Sequence, residues 1–194
     1  IYMNKHYEVI IIGAGPSGLG AALNLLKNGI KDILVIEQKR FPRYKCCAGY
    51  ITNKTKKEYE ALGLNVNKCH YSLIKDFQIC YKYQEKQKIV NKFLFTNKNI
   101  DRLELDNAFY ELAKKKGIVI LENTHIIRHN IHKNWIKTNK EDTYTYNYLV
   151  FADGTTGYGS KYQKNKKKNI AMQLIEKTNR KDSIEIHFGI TPHG

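Results

Sequence analysis

The sequence predicts an α/β fold, with a parallel β-sheet, an antiparallel meander and strands of a second β-sheet. The parallel part is indicated by two short β-branched runs, residues 7–12 and 33–36, which have the length and composition of buried strands. A segment with helical apolar spacing, residues 19–28, lies between them, so the three form a βαβ unit. The antiparallel part is indicated by later strand-like segments that alternate loosely and are separated by polar turns.

Composition limits the class of protein. Of the 194 residues, 42% are hydrophobic and 26% are charged, which is ordinary for a soluble globular protein of one domain or two small ones. No apolar run approaches the roughly 20 residues that span a bilayer, so we expect a cytoplasmic protein, with peripheral attachment to a membrane left open. The net charge of +15 comes from lysines spread along the whole chain rather than from a recognisable motif, so we predict no nucleic-acid partner.

Neither the cysteines nor the histidines predict a metal site. The cysteines lack the spacing of a zinc site or a CxxC pair, and we expect reduced thiols at Cys46, Cys47, Cys69 and Cys80. The histidines nearest one another lie in a predicted meander, where their spacing scatters them over the surface: His125, His129 and His132.

The βαβ unit contains a glycine motif. Gly13-Ala-Gly15-Pro16-Ser17-Gly18 follows the first strand and opens the helix, and the next strand ends in Glu37. Such glycines permit a tight turn, close approach of backbone amides to a pyrophosphate and close packing of helix on strand, while the acidic residue accepts hydrogen bonds from ribose hydroxyls. The motif therefore predicts a Rossmann-type site for NAD or FAD, with an unliganded glycine turn as the alternative.

The remaining segments are predicted by their periodicity and turn residues. In chain order they are a basic loop at 40–50, a helix at 52–62, antiparallel strands at 77–83 and 88–95, an amphipathic helix at 101–116, a strand at 118–121, a meander at 125–132, 135–138 and 143–146, a core strand at 148–152, and strands of the second sheet at 170–178 and 183–188. Leu103, Leu105, Phe109 and Leu112 or Ala113 form the apolar face of the helix at 101–116. We expect residues 1–75 and 101–160 to form the cofactor-binding domain, and residues 76–100 and 161–194 to contribute strands of a substrate domain.

Two motifs favour FAD. Arg102, Asp106, Leu112-Ala113 and Gly117 resemble the RxxxxDxxLxxxAxxxG stretch of group-2 flavoprotein oxidoreductases, and the strand ending at Asp153-Gly154 resembles their second flavin motif. The resemblance implies an FAD-binding Rossmann-type fold like that of p-hydroxybenzoate hydroxylase. It also implies that Arg102 contacts the flavin side, that Val119 offers backbone to the adenine, and that Asp153 and Gly154 approach the pyrophosphate or ribityl chain. The alternative for Arg102 is a pair with Asp106 on the helix surface.

The loop from Phe41 to Gly49 resembles the PRxKxCGG segment of the geranylgeranyl reductase family. Cys47 falls on the family's cysteine and Gly49 on its last aligned glycine, while Ala48 replaces a glycine. The resemblance places this loop beside the isoalloxazine ring, where Cys47 tunes the flavin or donates a proton and Lys45 holds an anionic substrate or stabilises reduced flavin. A packed thiol and a solvated lysine are the alternative. Further cofactor-binding candidates implied by the resemblance are Pro16, Ser17, Gln38, Arg40, Ala48 and Gly49.

These motifs together predict an FAD-dependent reductase of prenyl-chain double bonds. The alternatives are an aromatic monooxygenase, a relative of electron-transferring-flavoprotein dehydrogenases, and a non-catalytic nucleotide-binding fragment. NAD(P)H and ferredoxin are the candidate electron donors, the substrate is a small molecule or prenyl lipid, and the oligomeric state is left open. The family continues into further substrate and flavin motifs, so we expect this chain to be an N-terminal portion that does not hold FAD stoichiometrically by itself.

Overall fold

In the computed structural model, which describes residues 5–74, 76–83, 86–93, 97–162 and 183–188, the chain forms three β-sheets and three α-helices. The helices are α1 (Pro16–Lys27), α2 (Asn53–Ala61) and α3 (Arg102–Lys115). The strands are β1 (Lys5–Ile12), β2 (Ile33–Ile36), β3 (Tyr50–Ile51), β4 (Tyr71–Ile74), β5 (Asp76–Tyr83), β6 (Lys86–Phe93), β7 (Asn97–Ile100), β8 (Val119–Leu121), β9 (Ile126–Asn130), β10 (Trp135–Thr138), β11 (Thr143–Phe151) and β12 (Ser183–Phe188). The predicted fold class is confirmed.

The main sheet has six strands in the order β8-β2-β1-β11-β10-β9. The first four are mutually parallel, and β10 and β9 are antiparallel additions at one edge. The sequence was divided wrongly at one point, because the third meander strand and the core strand are one strand, β11. Its start pairs with β10, while its whole length pairs with β1 and places Phe151 beside Ile12.

Both faces of the parallel strands are covered, which explains their continuous apolar sequences. Along β1, Val9 and Ile11 point to the face that carries α1 and α3, and Ile10 and Ile12 point to the opposite face. All four are buried. Because these strands are parallel and Ile12 pairs with both Ile36 and Phe151, the carboxyl-terminal ends of β1, β2 and β11 lie side by side at one edge of the sheet.

Helix α3 presents a different face from the predicted one. Leu105, Phe109 and Ala113 are buried as expected, but Leu103 is 38% exposed. The buried stripe instead includes Asp106, which has no solvent exposure. The spacing of apolar residues does not predict a buried carboxylate. The predicted apolar face of α3 therefore included the exposed Leu103 and left out the buried Asp106.

Two smaller sheets accompany the main one. The predicted antiparallel pair is confirmed as β5 and β6, and the predicted strand at 183–188 is confirmed as β12, which runs parallel to β5. The predicted strand at 170–178 lies outside the described residues. A third sheet, β3-β7-β4, was not predicted; it joins strands from both sides of the proposed boundary at residue 76, and the division into domains stays a prediction.

Within the part of the chain that is described, no helix has the length and apolar character to cross a membrane.

Candidate functional site

The glycine turn lies between β1 and α1 and is closed by steric contact. Gly13 has φ +100°, and a Cβ added there would lie 2.5 Å from the carbonyl oxygen of Ala152 in the segment after β11. A Cβ on Gly18 would lie 1.9 Å from the Gly13 carbonyl oxygen, so Gly18 faces the turn rather than the space in front of it. Gly15 is the N-cap of α1 without a side-chain cap, and Pro16 follows it. The amides of the first helical turn are therefore left for an external acceptor.

Glu37 lies at the same edge, directly after β2. Its carboxylate is 5% exposed and accepts two backbone hydrogen bonds, from Ala14 N at 2.9 Å and from Lys39 N at 2.9 Å. The first bond ties the end of β2 to the glycine turn. The glycine turn and Glu37 thus lie side by side, as the sequence predicts. Ribose binding by Glu37 stays a prediction.

A cleft of about 340 Å³ opens in front of this turn. The predicted site residues that line it are Gly13, Gly15, Pro16, Ser17, Glu37, Gln38, Lys45, Arg102, Asp153 and Gly154. Lining residues that sequence reasoning missed include Lys39, Arg43, Tyr44, Thr124, His125, Ile126 and Tyr158. The cleft therefore gathers the βαβ unit, the basic loop, the start of α3 and the segment after β11.

Val119 is not at the cleft. It begins β8, pairs with Leu34 and is 44% exposed, whereas the cleft lies at the carboxyl-terminal ends of the parallel strands. The residues after β8 reach that edge instead, since Thr124 N donates to the Glu37 carbonyl oxygen at 2.9 Å and His125 follows it into the lining. A general rule could have identified Thr124 and His125, because ligands of parallel sheets bind beyond the carboxyl-terminal ends of the strands.

Four other predicted residues lie beside the cleft rather than in its lining. Arg40 is exposed on the loop after β2. Cys47 and Ala48 are exposed on the segment that leads into β3, and Gly49 is buried there with φ +75°. The structure thus separates these residues from the glycine turn, and their contact with a cofactor stays a prediction.

Arg102 combines the two predicted alternatives, because it lines the cleft and also pairs with Asp106. Its Nε donates to Oδ1 at 2.8 Å and its Nη2 donates to Oδ2 at 3.1 Å. Burial disfavours the charged guanidinium, but the hydrogen bonds and charge of Asp106, with a further hydrogen bond to Cys47, raise the pKa of Arg102 above its ordinary value. Arg102 is a fixed cation at the cleft.

Arg43 is a second cation that the sequence reading missed. Its Nη1 lies 3.2 Å from Asp106 Oδ2, and its Nε lies 3.7 Å from Glu37 Oε2. The guanidinium packs over Phe41 at 4.9 Å, and that ring stacks on Tyr110 at 4.5 Å. The basic loop is therefore anchored by a buried aromatic pair and a nearly buried arginine.

The loop continues past Arg43 to the candidate catalytic residues. Lys45 Nζ lies 3.9 Å from the position of a Cβ added to Gly154, so Lys45 reaches from the loop to the turn after β11. Cys47 Sγ accepts a hydrogen bond from Gly49 N at 3.4 Å and interacts electrostatically with Arg102, whose pKa it helps to raise. Cys46 and Cys47 are both exposed. The contact with Arg102 distinguishes Cys47 as the thiol beside the cleft.

Asp153 and Gly154 both line the cleft, but the Asp153 carboxylate has a partner of its own. Its Oδ2 accepts from Gly159 N at 2.9 Å, which folds the following turn back over the sheet. That turn is also held by His129, whose Nδ1 bonds the hydroxyl of Tyr158 at 2.7 Å and whose Nε2 bonds Tyr162. Burial, and then the charge of Lys161, lower the pKa of His129. These contacts position the wall of the cleft that Tyr158 supplies.

These features define a nucleotide-binding domain of the oxidoreductase type, with a glycine turn, a helix amino terminus and an acidic residue at the end of β2. The chain belongs to the pyridine nucleotide-disulphide oxidoreductase family, whose model matches residues 7–186. It is 38% identical over 157 residues to an uncharacterized protein of Methanosarcina barkeri, covering 79% of this chain and 38% of that protein. It is 27% identical over 134 residues to the menaquinone reductase of Mycolicibacterium smegmatis, covering 64% of this chain and 31% of that protein. The chain thus spans well under half the length of these relatives.

Solved structures confirm the fold. The chondrochloren halogenase CndH of a myxobacterium, described as FAD-dependent, has a TM-score of 0.67 and 17% identity, over 79% of this chain and 38% of that one. The p-nitrophenol 4-monooxygenase PnpA of Pseudomonas putida has a TM-score of 0.65 and 18% identity, over 80% of this chain and 43% of that one. PqsL of Pseudomonas aeruginosa, a probable FAD-dependent monooxygenase, has a TM-score of 0.61 and 19% identity, over 81% and 45%.

FAD is the cofactor of this family, and the cleft fits it. The Cβ position of Gly15 has no neighbour nearer than Arg43 Nη2 at 3.5 Å, so an anionic group has space in front of the helix amino terminus. Glu37 offers carboxylate oxygens beside that space, and Arg43 and Arg102 bring positive charge to it. Gly13, Gly15, the amides of α1, Glu37 and these arginines are the groups that would hold the cofactor.

Proposed function

We propose that the chain belongs to an FAD-dependent reductase that saturates double bonds of a prenyl lipid. The observation that carries the proposal is the position of the basic loop, which brings Lys45 to Gly154 in the cleft lining and leaves Cys47 beside the cleft, within electrostatic reach of Arg102. The loop also resembles the geranylgeranyl reductase segment, with Ala48 in place of one glycine. The similarity to a menaquinone reductase supports a reductase, while the similarity to monooxygenases and a halogenase is one of fold.

Bound FAD supplies hydride transfer in its reduced form. Saturating a carbon–carbon double bond also requires one proton, and the Cys47 thiol is the group we assign to donate it to the second carbon. The Cys47 sulfur is held by the Gly49 amide and lies within electrostatic reach of Arg102. The thiolate left on Cys47 then takes a proton from solvent, which the exposure of the residue permits.

Lys45 is assigned to the polar end of the substrate. Its ammonium group lies in the cleft lining near Gly154, where it can hold a diphosphate or another anionic head group. A substrate with such a head group and a prenyl tail lies at a membrane surface. The proposal therefore includes peripheral contact with a membrane, and it takes NAD(P)H or ferredoxin as the source of electrons.

The test is a single-turnover reaction. The whole reductase that contains this chain is loaded with FAD, reduced without oxygen and mixed with geranylgeranyl diphosphate or a geranylgeranyl lipid, while flavin absorbance and the mass of the lipid are followed. The proposal expects oxidation of the flavin together with the gain of two hydrogens for each double bond lost. Flavin oxidation that needs oxygen and an aromatic substrate, with no change in the prenyl lipid, would instead establish a monooxygenase.

A further inference from the structure

Asp106 is a buried carboxylate that binds two arginines. Its Oδ1 accepts from Arg102 Nε at 2.8 Å, and its Oδ2 lies 3.1 Å from Arg102 Nη2 and 3.2 Å from Arg43 Nη1. Arg102 comes from the same helix, four residues earlier, whereas Arg43 comes from the basic loop. One carboxylate therefore joins α3 to the loop by charge-assisted hydrogen bonds.

The two arginines extend from Asp106 in different directions along the cleft. Arg43 approaches Glu37 at 3.7 Å, and its Nη2 lies 3.5 Å from the Cβ position of Gly15, so it faces the space before the helix amino terminus. Arg102 reaches Cys47 on the far part of the loop. Glu37, Arg43 and Arg102 thus place alternating charges in the lining of the cleft, with the buried Asp106 between the two arginines.

A role in stability alone does not account for this arrangement. A buried ion pair is often replaced by apolar residues of similar volume without loss of stability, because desolvation offsets its attraction. Here three charged groups are kept, and both cations line a cleft whose cofactor carries two phosphates. A shared carboxylate that holds two arginines in position allows both cations to face the phosphates of the cofactor.

We propose that Asp106 is the positioning residue of the FAD cleft, and that it presents Arg43 to the ADP half of the cofactor and Arg102 to the FMN half. Loss of its charge frees both arginines at once, although Asp106 itself has no exposure to the cleft. The two halves of the cofactor site are thereby coupled through one side chain. This inference concerns FAD binding and does not depend on the identity of the substrate.

The experiment measures the affinity of the FAD-free protein for ADP and for FMN by calorimetry. We expect Asp106→Asn to weaken both ligands by about 10-fold or more, Arg43→Gln to weaken ADP alone, and Arg102→Gln to weaken FMN alone. Arg128→Gln is the matched control, because Arg128 is an exposed arginine on β9 outside the cleft lining, and it should change neither affinity.

Three results overturn the proposal. The first is an Asp106→Asn protein that melts at a lower temperature but binds both ligands as the wild type does. The second is an Asp106→Asn protein that loses affinity for one ligand only. The third comes from the single arginine variants, which leave Asp106 intact and decide the matter even where Asp106→Asn does not fold: equal effects of each variant on ADP and FMN would contradict the assignment of one arginine to each half.

Discussion

The carboxylate of Asp106 is held by the guanidinium of Arg102 through two hydrogen bonds, at 2.8 and 3.1 Å, one helical turn apart on α3. The pair is nearly buried, yet Arg102 still lines the cofactor cleft. Arg102 thus forms the ion pair with Asp106 and also lies in the lining of the cleft. The same arrangement, in which a polar residue is fixed by the fold and faces the cleft, recurs at Glu37.

Gly18→Ala should destabilise the protein, while Gly20→Ala in the same helix should not. A Cβ at residue 18 would lie 1.9 Å from a backbone oxygen, whereas a Cβ at residue 20 would meet only the end of the Leu62 side chain at 4.0 Å. We expect a cost of about 2 kcal/mol or more at residue 18, and a gain of up to about 1 kcal/mol at residue 20 from helix propensity. Urea unfolding measures both. Equal stabilities of the two variants would mean that the turn relaxes freely.

Glu37→Ala should weaken FAD binding by about 1.5–3 kcal/mol, the range of one hydrogen-bonded contact to a charged group. The substitution removes the carboxylate beside the glycine turn and also the acceptor of the Ala14 amide. Fluorescence titration with FAD measures the change, and Glu111→Ala on the exposed face of α3 is the control. An unchanged affinity would show that the ribose is held by other groups.

Cys47→Ser should leave FAD affinity intact and slow the oxidation of reduced flavin by the prenyl substrate. A serine hydroxyl is a weaker acid than a thiol, so the proton reaches the substrate more slowly. Stopped-flow absorbance follows the reaction. Cys46→Ser is a closely matched control, since the neighbouring thiol is also exposed. If both variants react at the wild-type rate, Cys47 does not donate the proton.

The free energy of unfolding should fall as the pH drops below about 6.5, and His129 should account for part of the fall. Burial and Lys161 lower the pKa of folded His129, so the neutral ring contributes stability above its unfolded pKa, and this contribution is lost as pH falls through the folded value. Urea unfolding between pH 5 and 8 measures this change in the free energy of unfolding. His129→Gln should flatten the curve relative to His132→Gln, at an exposed position. Parallel curves would contradict the assignment.

The sequence was sufficient for the parts of the fold that follow from local pattern. The glycine motif, the strand before it and the acidic residue after β2 have fixed spacing, so the edge that holds Gly13 and Glu37 could be predicted. Arg43 could not, because its position depends on the path of an irregular loop that crosses to α3. Asp106 was named as part of the flavoprotein motif and as a partner of Arg102, but not as a buried residue, since periodicity treats a carboxylate as exposed. Val119 lies at the start of β8 while the segment after β8 lines the cleft, so contact of Val119 with the adenine stays a prediction.

The segment after β8 is a second part of the site that the sequence alone does not predict. Thr124 and His125 enter the cleft because a backbone hydrogen bond ties Thr124 to the end of β2. Nothing in the residue types of that segment distinguishes it from a surface turn. Its role depends on strand order, which places β8 beside β2 and is known only once the sheet is assembled.

The central claim is that FAD lies in the cleft with its pyrophosphate in front of Gly15. The most direct test is a titration of the Gly15→Val protein with FAD, followed by flavin fluorescence. Gly15 has an ordinary extended conformation, and its Cβ position makes an ordinary contact with the flexible end of Arg43, at 3.5 Å from Nη2. The fold should therefore tolerate the valine side chain, which fills the space before the helix amino terminus. We predict that FAD affinity falls by about 100-fold or more, while the melting temperature without FAD stays near that of the wild type. Wild-type affinity in the Gly15→Val protein would contradict the account.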